Sequence, residues 1–118
     1  MTDTAIEQEI QAKGLIAPRV TLADIETNIA SEHCFTAAEG VREGETWPEA
    51  VPESSPLHLL TFCVLVLKNG FTVTGESACA SPENFDAELG RKIARKNAID
   101  KCWPLMGYEL RSRLSNFK

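Results

Sequence analysis

The sequence predicts an α+β fold in a single small domain, with an antiparallel β-hairpin packed on a long C-terminal helix and further helices at the N-terminus. Two runs rich in β-branched and aromatic residues flank Asn69-Gly70, the dipeptide that a tight hairpin turn favours. A stretch with helical spacing follows, from Ser81 to Trp103. At 118 residues the chain is long enough for one modest core.

The hairpin is the clearest local pattern. A two-residue type I′ turn at Asn69-Gly70 predicts strands at about 58–68 and 71–78, with Val66 opposite Val73. One face then carries five residues that we expect to be buried against the long helix: Phe62, Val64, Val66, Phe71 and Val73. The other face is mixed and carries Thr61, Cys63, Leu65, Leu67, Thr72, Thr74 and Glu76.

The long helix is predicted from its ends and its spacing. Ser81 suits the N-cap, Pro82 suits the first helical position, and Pro104 favours an end or a kink at Trp103, with a last short helix folding back. A stripe of large residues is expected to face the core: Phe85, Leu89, Ile93, Ile99 and Trp103. A stripe of small residues predicts close approach to another element: Ala87, Gly90, Ala94 and Ala98.

The chain is predicted to form one domain over residues 1–118, in three parts. Residues 1–37 hold two helices, 3–13 and Thr21 to about Ser31, and a short strand, 33–36, that supplies a third strand because a hairpin is marginally stable alone. Residues 38–56 form an acidic, proline-rich loop that we expect to lack regular structure and to be mobile. Residues 57–118 form the hairpin and helix.

Composition limits the classes of protein that the chain can belong to. The sequence has no apolar run long enough to span a bilayer and begins with polar and acidic residues, so we expect no membrane association and a cytoplasmic setting. Its four cysteines lack paired short spacings and are expected to be free thiols, with no metal site and no cofactor. From residue 82 onwards the net charge is +3, whereas residues 1–81 carry −8.

A basic cluster in the long helix is the first candidate site. Arg91, Lys92, Arg95 and Lys96 could neutralise the phosphates of a nucleic acid or nucleotide, and for that we expect Arg91 and Arg95 to be exposed and mostly unpaired. A solvated helix face with a Glu88–Lys92 pair is the structural alternative, and docking onto an acidic partner protein is a third.

The second candidate site lies on the mixed sheet face. Thr72, Thr74 and Glu76 could contact a partner or line a small-ligand pocket, and the structural alternative is an edge strand that faces water or a dimer mate. Trp47, an aromatic residue in the acidic loop, is a further partner-contact candidate. We therefore expect a homodimer, if one forms, to use the hairpin edge or the mixed sheet face.

Two resemblances to known proteins accompany these patterns. The segment 69–114 carries the motifs NGF, GES, NFD and, further on, WP and GY, and resembles a family of small uncharacterised tailed-phage and prophage proteins typified by "gene product forty-nine" of a coliphage. The resemblance covers 57–114 and extends loosely to 11–26; it implies a phage origin and no catalytic residue. The predicted element order also resembles the α-β-β-β-α order of double-stranded-RNA-binding domains, whose second helix begins with basic residues.

The function expected from these observations is that of a non-enzymatic phage or prophage binding protein. It would modulate a host factor by protein–protein contact in the cytoplasm of the bacterial host, through the acidic loop and the mixed sheet face. The alternative is nucleic-acid or nucleotide binding through the basic face of the long helix. Hydrolysis has little support, because the sequence contains no P-loop, GxGxxG or HExxH motif.

Overall fold

A three-stranded antiparallel sheet with helices is the architecture of the protein, which confirms the predicted α+β class. The computed structural model describes residues 2–44 and 51–116. The sheet has the strand order β1-β2-β3. The elements are α1 (Asp3–Ala12), α2 (Leu22–Thr27), β1 (Ile29–Thr36), α3 (Ala37–Gly44), β2 (Leu60–Leu67), β3 (Thr72–Ala78) and α4 (Ala87–Ser115), with short 3₁₀ turns at Pro56–Leu59 and Pro82–Asn84.

The N-terminal helices form where their caps predict. The Thr2 hydroxyl accepts a hydrogen bond from the Ala5 backbone at the start of α1, and Gly14 follows its end with φ 66°. A capping box of Thr21 and Asp24 opens α2. This helix ends at Thr27, earlier than predicted, because the chain turns directly into β1, which is correspondingly longer than the predicted strand.

The hairpin turn lies at the predicted dipeptide but has a different register. Leu67 N–H donates to the Phe71 carbonyl at 2.8 Å, so the loop has three residues, and Gly70, with φ 88°, is its residue of positive φ. A loop of this type needs a left-handed conformation only at its last position, whereas the predicted type I′ turn needs it at Asn69 as well. Val66 is therefore opposite Thr72 and not Val73.

The one-residue shift reverses the predicted face of β2, because successive side chains of a strand point to opposite faces. The side buried against the helices carries Thr61, Cys63, Leu65 and Leu67, together with Val73. The prediction that Phe62, Val64, Val66 and Phe71 are buried against the long helix is therefore wrong. The first three lie half-buried on the opposite face, and Phe71 is 55% exposed at the turn.

The long helix also differs from its prediction at both ends. Its N-cap is Asp86, whose carboxylate accepts from Leu89 N–H, and the Ser81 side chain makes no capping bond. The helix continues through Pro104 to Ser115, so the predicted end at Trp103 and the separate last helix are wrong. Trp103 just before Pro104 and Met106 just after it pack against the core, and this packing outweighs the backbone hydrogen bond that the proline removes.

Small residues of α4 form its contact with the sheet, as predicted, except for Ala87, which is exposed. Ala94 and Ala98 are fully buried, and Gly75 of β3 lies directly beneath their backbone, so closely that a Cβ at this position would collide with the Ala94 carbonyl and the Ala98 nitrogen. Two of the large residues expected in the core, Leu89 and Ile93, are instead 53% and 42% exposed. The core is completed by Ile25 of α2, Leu65, Ile99 and Cys102.

Residues 38–56 are not the structureless loop that the sequence predicts. Helix α3 begins at Ala37 and buries Ala37 and Ala38, and a 3₁₀ turn capped by the Ser55 hydroxyl leads into β2. The side chain of Glu39 accepts from the Thr36 backbone and so stabilises the start of this helix. Residues 45–50 of the predicted mobile loop, which include Trp47, lie outside the described residues.

The protein is extended for its size. Its radius of gyration is 18.2 Å, where a compact domain of this length has about 13.5 Å. It exposes 8493 Å², where a compact monomer of the same mass exposes about 6,300 Å². The folded chain therefore leaves an unusual amount of surface uncovered. In the ranges 2–44 and 51–116, no helix has the length and apolar character that crossing a membrane requires.

Candidate protein-contact site

The sheet face that points away from α4 forms the first candidate surface, which we call the open face. In the sheet register, Val66 of β2 lies between Ser31 of β1 and Thr72 of β3. Val64 lies in the same way between His33 and Thr74. The central strand thus presents an apolar ridge with polar side chains along both flanks.

Helix α3 covers one end of the open face. The next row of the register joins Phe35, Phe62 and Glu76, and the two phenylalanine rings pack with their centroids 5.8 Å apart. Gly40 of α3 lies against the Phe35 ring, where an added Cβ would come within 3.2 Å. Towards the hairpin turn, the side chains of Val64 and Val66 are half-buried and remain partly exposed on this face.

Three of the predicted contact residues lie on this open face. Thr72, Thr74 and Glu76 are exposed on edge strand β3, next to Phe62, Val64 and Val66 rather than next to Cys63 and Leu65 as predicted. The Glu76 carbonyl accepts a 2.8 Å hydrogen bond from the Asn97 side chain, which fixes the edge strand to α4. Its carboxylate remains on the open face.

The basic cluster in α4 divides into residues with different environments. The Arg95 guanidinium makes a double ion pair, at 2.6 Å to Glu26 of α2 and 2.7 Å to Glu32 of β1. These hydrogen bonds hold the pKa of the Glu26 carboxyl below its usual value and raise the pKa of Arg95. The prediction that Arg95 is mostly unpaired is therefore wrong: it joins three elements of the fold.

The other three cations of the cluster are exposed. Lys92 pairs with Glu88 at 3.3 Å and Lys96 with Asp100 at 3.0 Å along the helix surface. Such exposed pairs are weak and hold neither ammonium group firmly. Arg91 is exposed, and no carboxylate of residues 2–42 or 51–116 lies within ion-pair distance of it. Arg95 therefore joins elements of the fold, whereas Arg91, Lys92 and Lys96 lie exposed on the helix surface.

A second surface, which the sequence patterns did not predict, is a groove of about 940 Å³ at the turn end of the sheet. We call it the end groove. It lies between the hairpin turn, the segment around α2 and the last part of α4. Its apolar lining is Val20, Leu67, Phe71, Leu105, Met106 and Leu110, and the charged groups at its edge are Arg19, Asp24, Lys68, Glu109 and Arg113.

The sequence does contain a signal for the end groove. The row of α4 residues that contacts the sheet repeats every four positions and continues past the sheet's end: Ala94, Ala98, Cys102, Met106 and Leu110. A four-residue spacing turns the row by about 40° per step, so that Leu114 has left the side that lines the groove. The first three residues of the row are fully buried, Met106 and Leu110 are half-buried, and Leu114 is 37% exposed. The apolar row is therefore longer than the sheet that covers it.

The cysteines are free thiols, as predicted. Burial raises the pKa of Cys63 to about 12 and also raises that of Cys102, so both thiols stay protonated at neutral pH. In the described part of the chain, no three His, Cys, Asp or Glu side chains come together as a metal site requires.

The fold and these surfaces define a small α+β protein whose sheet is covered on one face by a long helix. The chain belongs to the phage protein family described as N4 Gp49/phage Sf6 gene 66, whose family model matches residues 20–114. The resemblance predicted from the NGF, GES and NFD motifs is thereby confirmed. No curated protein and no solved structure matches the chain.

Proposed function

We propose that this protein is a non-enzymatic binding protein that modulates a host factor through protein–protein contact at the open face. Membership of a phage family supports this setting, because such a protein is made inside a bacterial cell and meets host proteins there. We place the contact in the host cytoplasm.

The observation that carries the proposal is the partly exposed apolar ridge of Val64 and Val66. An apolar centre bordered by polar groups is the usual pattern of a protein interface. Ser31 and His33 form one border, and the hydroxyls of β3 form the other. The partner that fits is a protein patch with an apolar centre, hydroxyl or amide groups that meet the threonines, and a cation that meets the Glu76 carboxylate.

Substitution at the ridge tests the proposal. Val66→Arg places a charge at the centre of the proposed contact, and Ala87→Arg places the same charge on the exposed start of α4 as a matched control. A host protein captured with the wild-type chain is purified and its affinity is measured by calorimetry. We expect Val66→Arg to weaken binding at least about a hundredfold, as loss of a central contact does, and Ala87→Arg to leave it unchanged.

Two results would overturn the proposal: equal binding by the wild type and Val66→Arg, or binding by neither at micromolar concentration. Circular dichroism of both variants, compared with the wild type, separates a lost contact from a lost fold. Because Val66 lies on the side of the sheet away from the core, its substitution leaves the α4 packing in place.

Nucleic-acid or nucleotide binding is the second candidate function. The observation that favours it is the exposed Arg91 with Lys92 and Lys96 nearby. The predicted order of helix, three strands and helix recurs from α2 to α4, although α3 is inserted between β1 and β2. Arg91→Glu tests it, because Arg95 is held by two carboxylates. Binding of duplex RNA or DNA should fall steeply with salt and with this substitution. Salt-independent binding, or no binding at low salt, would exclude it.

A further inference from the structure

We propose that the end groove is a homodimer interface, in which the last three turns of α4 from two copies of this chain pack against each other in antiparallel orientation. The first observation is the extra surface of the single chain. It exposes about 2,200 Å² more than a compact monomer of its mass, whereas a standard stable interface buries about 800 Å² from each partner. A second copy would cover about a third of this difference.

The position of the uncovered surface is the second observation. The buried row of α4 continues beyond the sheet through Met106 and Leu110, and neighbouring Leu105 is 41% exposed. A helical end of this length is marginal in water without packing, so an apolar cover stabilises it. The opposite side of the same turns is polar apart from Tyr108, which is 76% exposed. The helix therefore has one direction in which it lacks a neighbour.

The charges of the groove favour a second copy over another partner. Glu109 and Arg113 are paired with each other at 2.8 Å on the uncovered side of α4. In an antiparallel pair both lie near the two-fold axis, so each Glu109 can meet the Arg113 of the other copy. Of the remaining edge residues, Asp24 and Lys68 carry opposite signs, and the charge of Arg19 is balanced by its 2.6 Å ion pair with Glu7 of α1. A surface with this balance matches its own copy, because a two-fold interface must be self-complementary.

The mass in solution is the first test. Size-exclusion chromatography with light scattering should give twice 13.0 kDa at micromolar concentration. Leu105→Glu should raise the dimer dissociation constant at least about tenfold, whereas Tyr108→Glu, on the opposite side of the same helix, should not. Circular dichroism of both variants reports whether the helix remains folded.

A charge exchange identifies the interface more sharply. Glu109→Arg and Arg113→Glu should each weaken the dimer, and mixing the two variants should restore it, because one copy then carries two cations and the other two anions. Restored association in the mixture identifies the interface even where each variant alone is monomeric or less stable.

Three outcomes would overturn the proposal. The first is a mass of 13.0 kDa for the wild-type chain. The second is a dimer that Val66→Arg dissociates and Leu105→Glu does not, which would place the interface on the open face. The third is a dimer that neither the charge variants nor their mixture affects.

Discussion

The close approach of β3 to α4 makes Gly75→Ala the most informative single substitution for the fold. The φ of Gly75 is not positive, so alanine can adopt its backbone conformation, and the cost comes from contact alone. The added methyl group would collide with the backbone of α4 at Ala94 and Ala98, which cannot move as a flexible side chain can. Overpacking costs up to about 3 kcal/mol, and alanine regains about 0.5 kcal/mol by stiffening the unfolded chain.

We therefore expect Gly75→Ala to lower the free energy of unfolding by about 2.5 kcal/mol and Tm by about 10 °C. The control is Gly107→Ala in α4, where an added Cβ would have no atom within 4 Å beyond the neighbouring helix backbone. It should raise the free energy of unfolding by about 1 kcal/mol through helix propensity. Urea unfolding followed by circular dichroism measures both. A change below about 0.5 kcal/mol for Gly75→Ala would show that β3 and α4 are not packed as described.

Further predictions concern charge and thiol chemistry. Arg95→Met should lower the free energy of unfolding by about 1–2 kcal/mol, since its partners are more than a third exposed and solvent screens the pairs; a neutral effect in urea unfolding would contradict the bridging role. The hydrogen bonds from Arg95 lower the pKa of Glu26. The stability that this ion pair contributes is therefore present above the ordinary glutamate pKa of 4.5 and is lost as the pH falls below that value. In Arg95→Met, the free energy of unfolding should depend less on pH in this range. Cys63, whose pKa is raised to about 12, should resist alkylation at pH 8 until the protein unfolds. The free energy of unfolding should also fall as the pH rises from 9 towards 12. Rapid labelling of Cys63 in the folded chain, detected by mass spectrometry, would contradict its burial.

Local chemistry predicted several elements from the sequence. The pair Thr21 and Asp24 predicted the start of α2, and the four-residue spacing of Ala94 and Ala98 predicted close approach of the long helix to another element. The third strand was expected because a lone hairpin is marginal, and β1 supplies it. Each of these predictions rests on residues a few positions apart, where sequence spacing and geometry correspond closely.

The register of the hairpin could not be decided in this way. Strand β2 has apolar side chains on both faces, so its alternation does not select the buried one. Strand β3 decides it, because Val73 and Gly75 point to α4 and only a residue without a side chain fits beneath Ala94. A strand glycine opposite a stripe of small helix residues is the signal that would have given the correct register.

The surfaces were harder to predict than the elements. The sheet face away from the core was expected to carry both polar and apolar residues, and the open face does. Its apolar residues, Phe62, Val64 and Val66, are however the ones that were predicted to be core. The end groove joins three segments that are far apart in sequence, so no local pattern describes it. The continuation of the α4 apolar row past Pro104 is its one trace in the sequence, and the expected helix end at that proline concealed it.

Site-specific photocrosslinking in infected host cells tests the central claim, that the open face contacts a host protein, most directly. A photoreactive phenylalanine analogue replaces Thr74 on the open face or, as a control, Ala87 on the exposed start of α4. We predict a covalent adduct with one host protein from position 74, its loss in a chain that also carries Val66→Arg, and no such adduct from position 87. Adducts from position 74 that contain only a second copy of this chain, or a host adduct from position 87 alone, would contradict the claim.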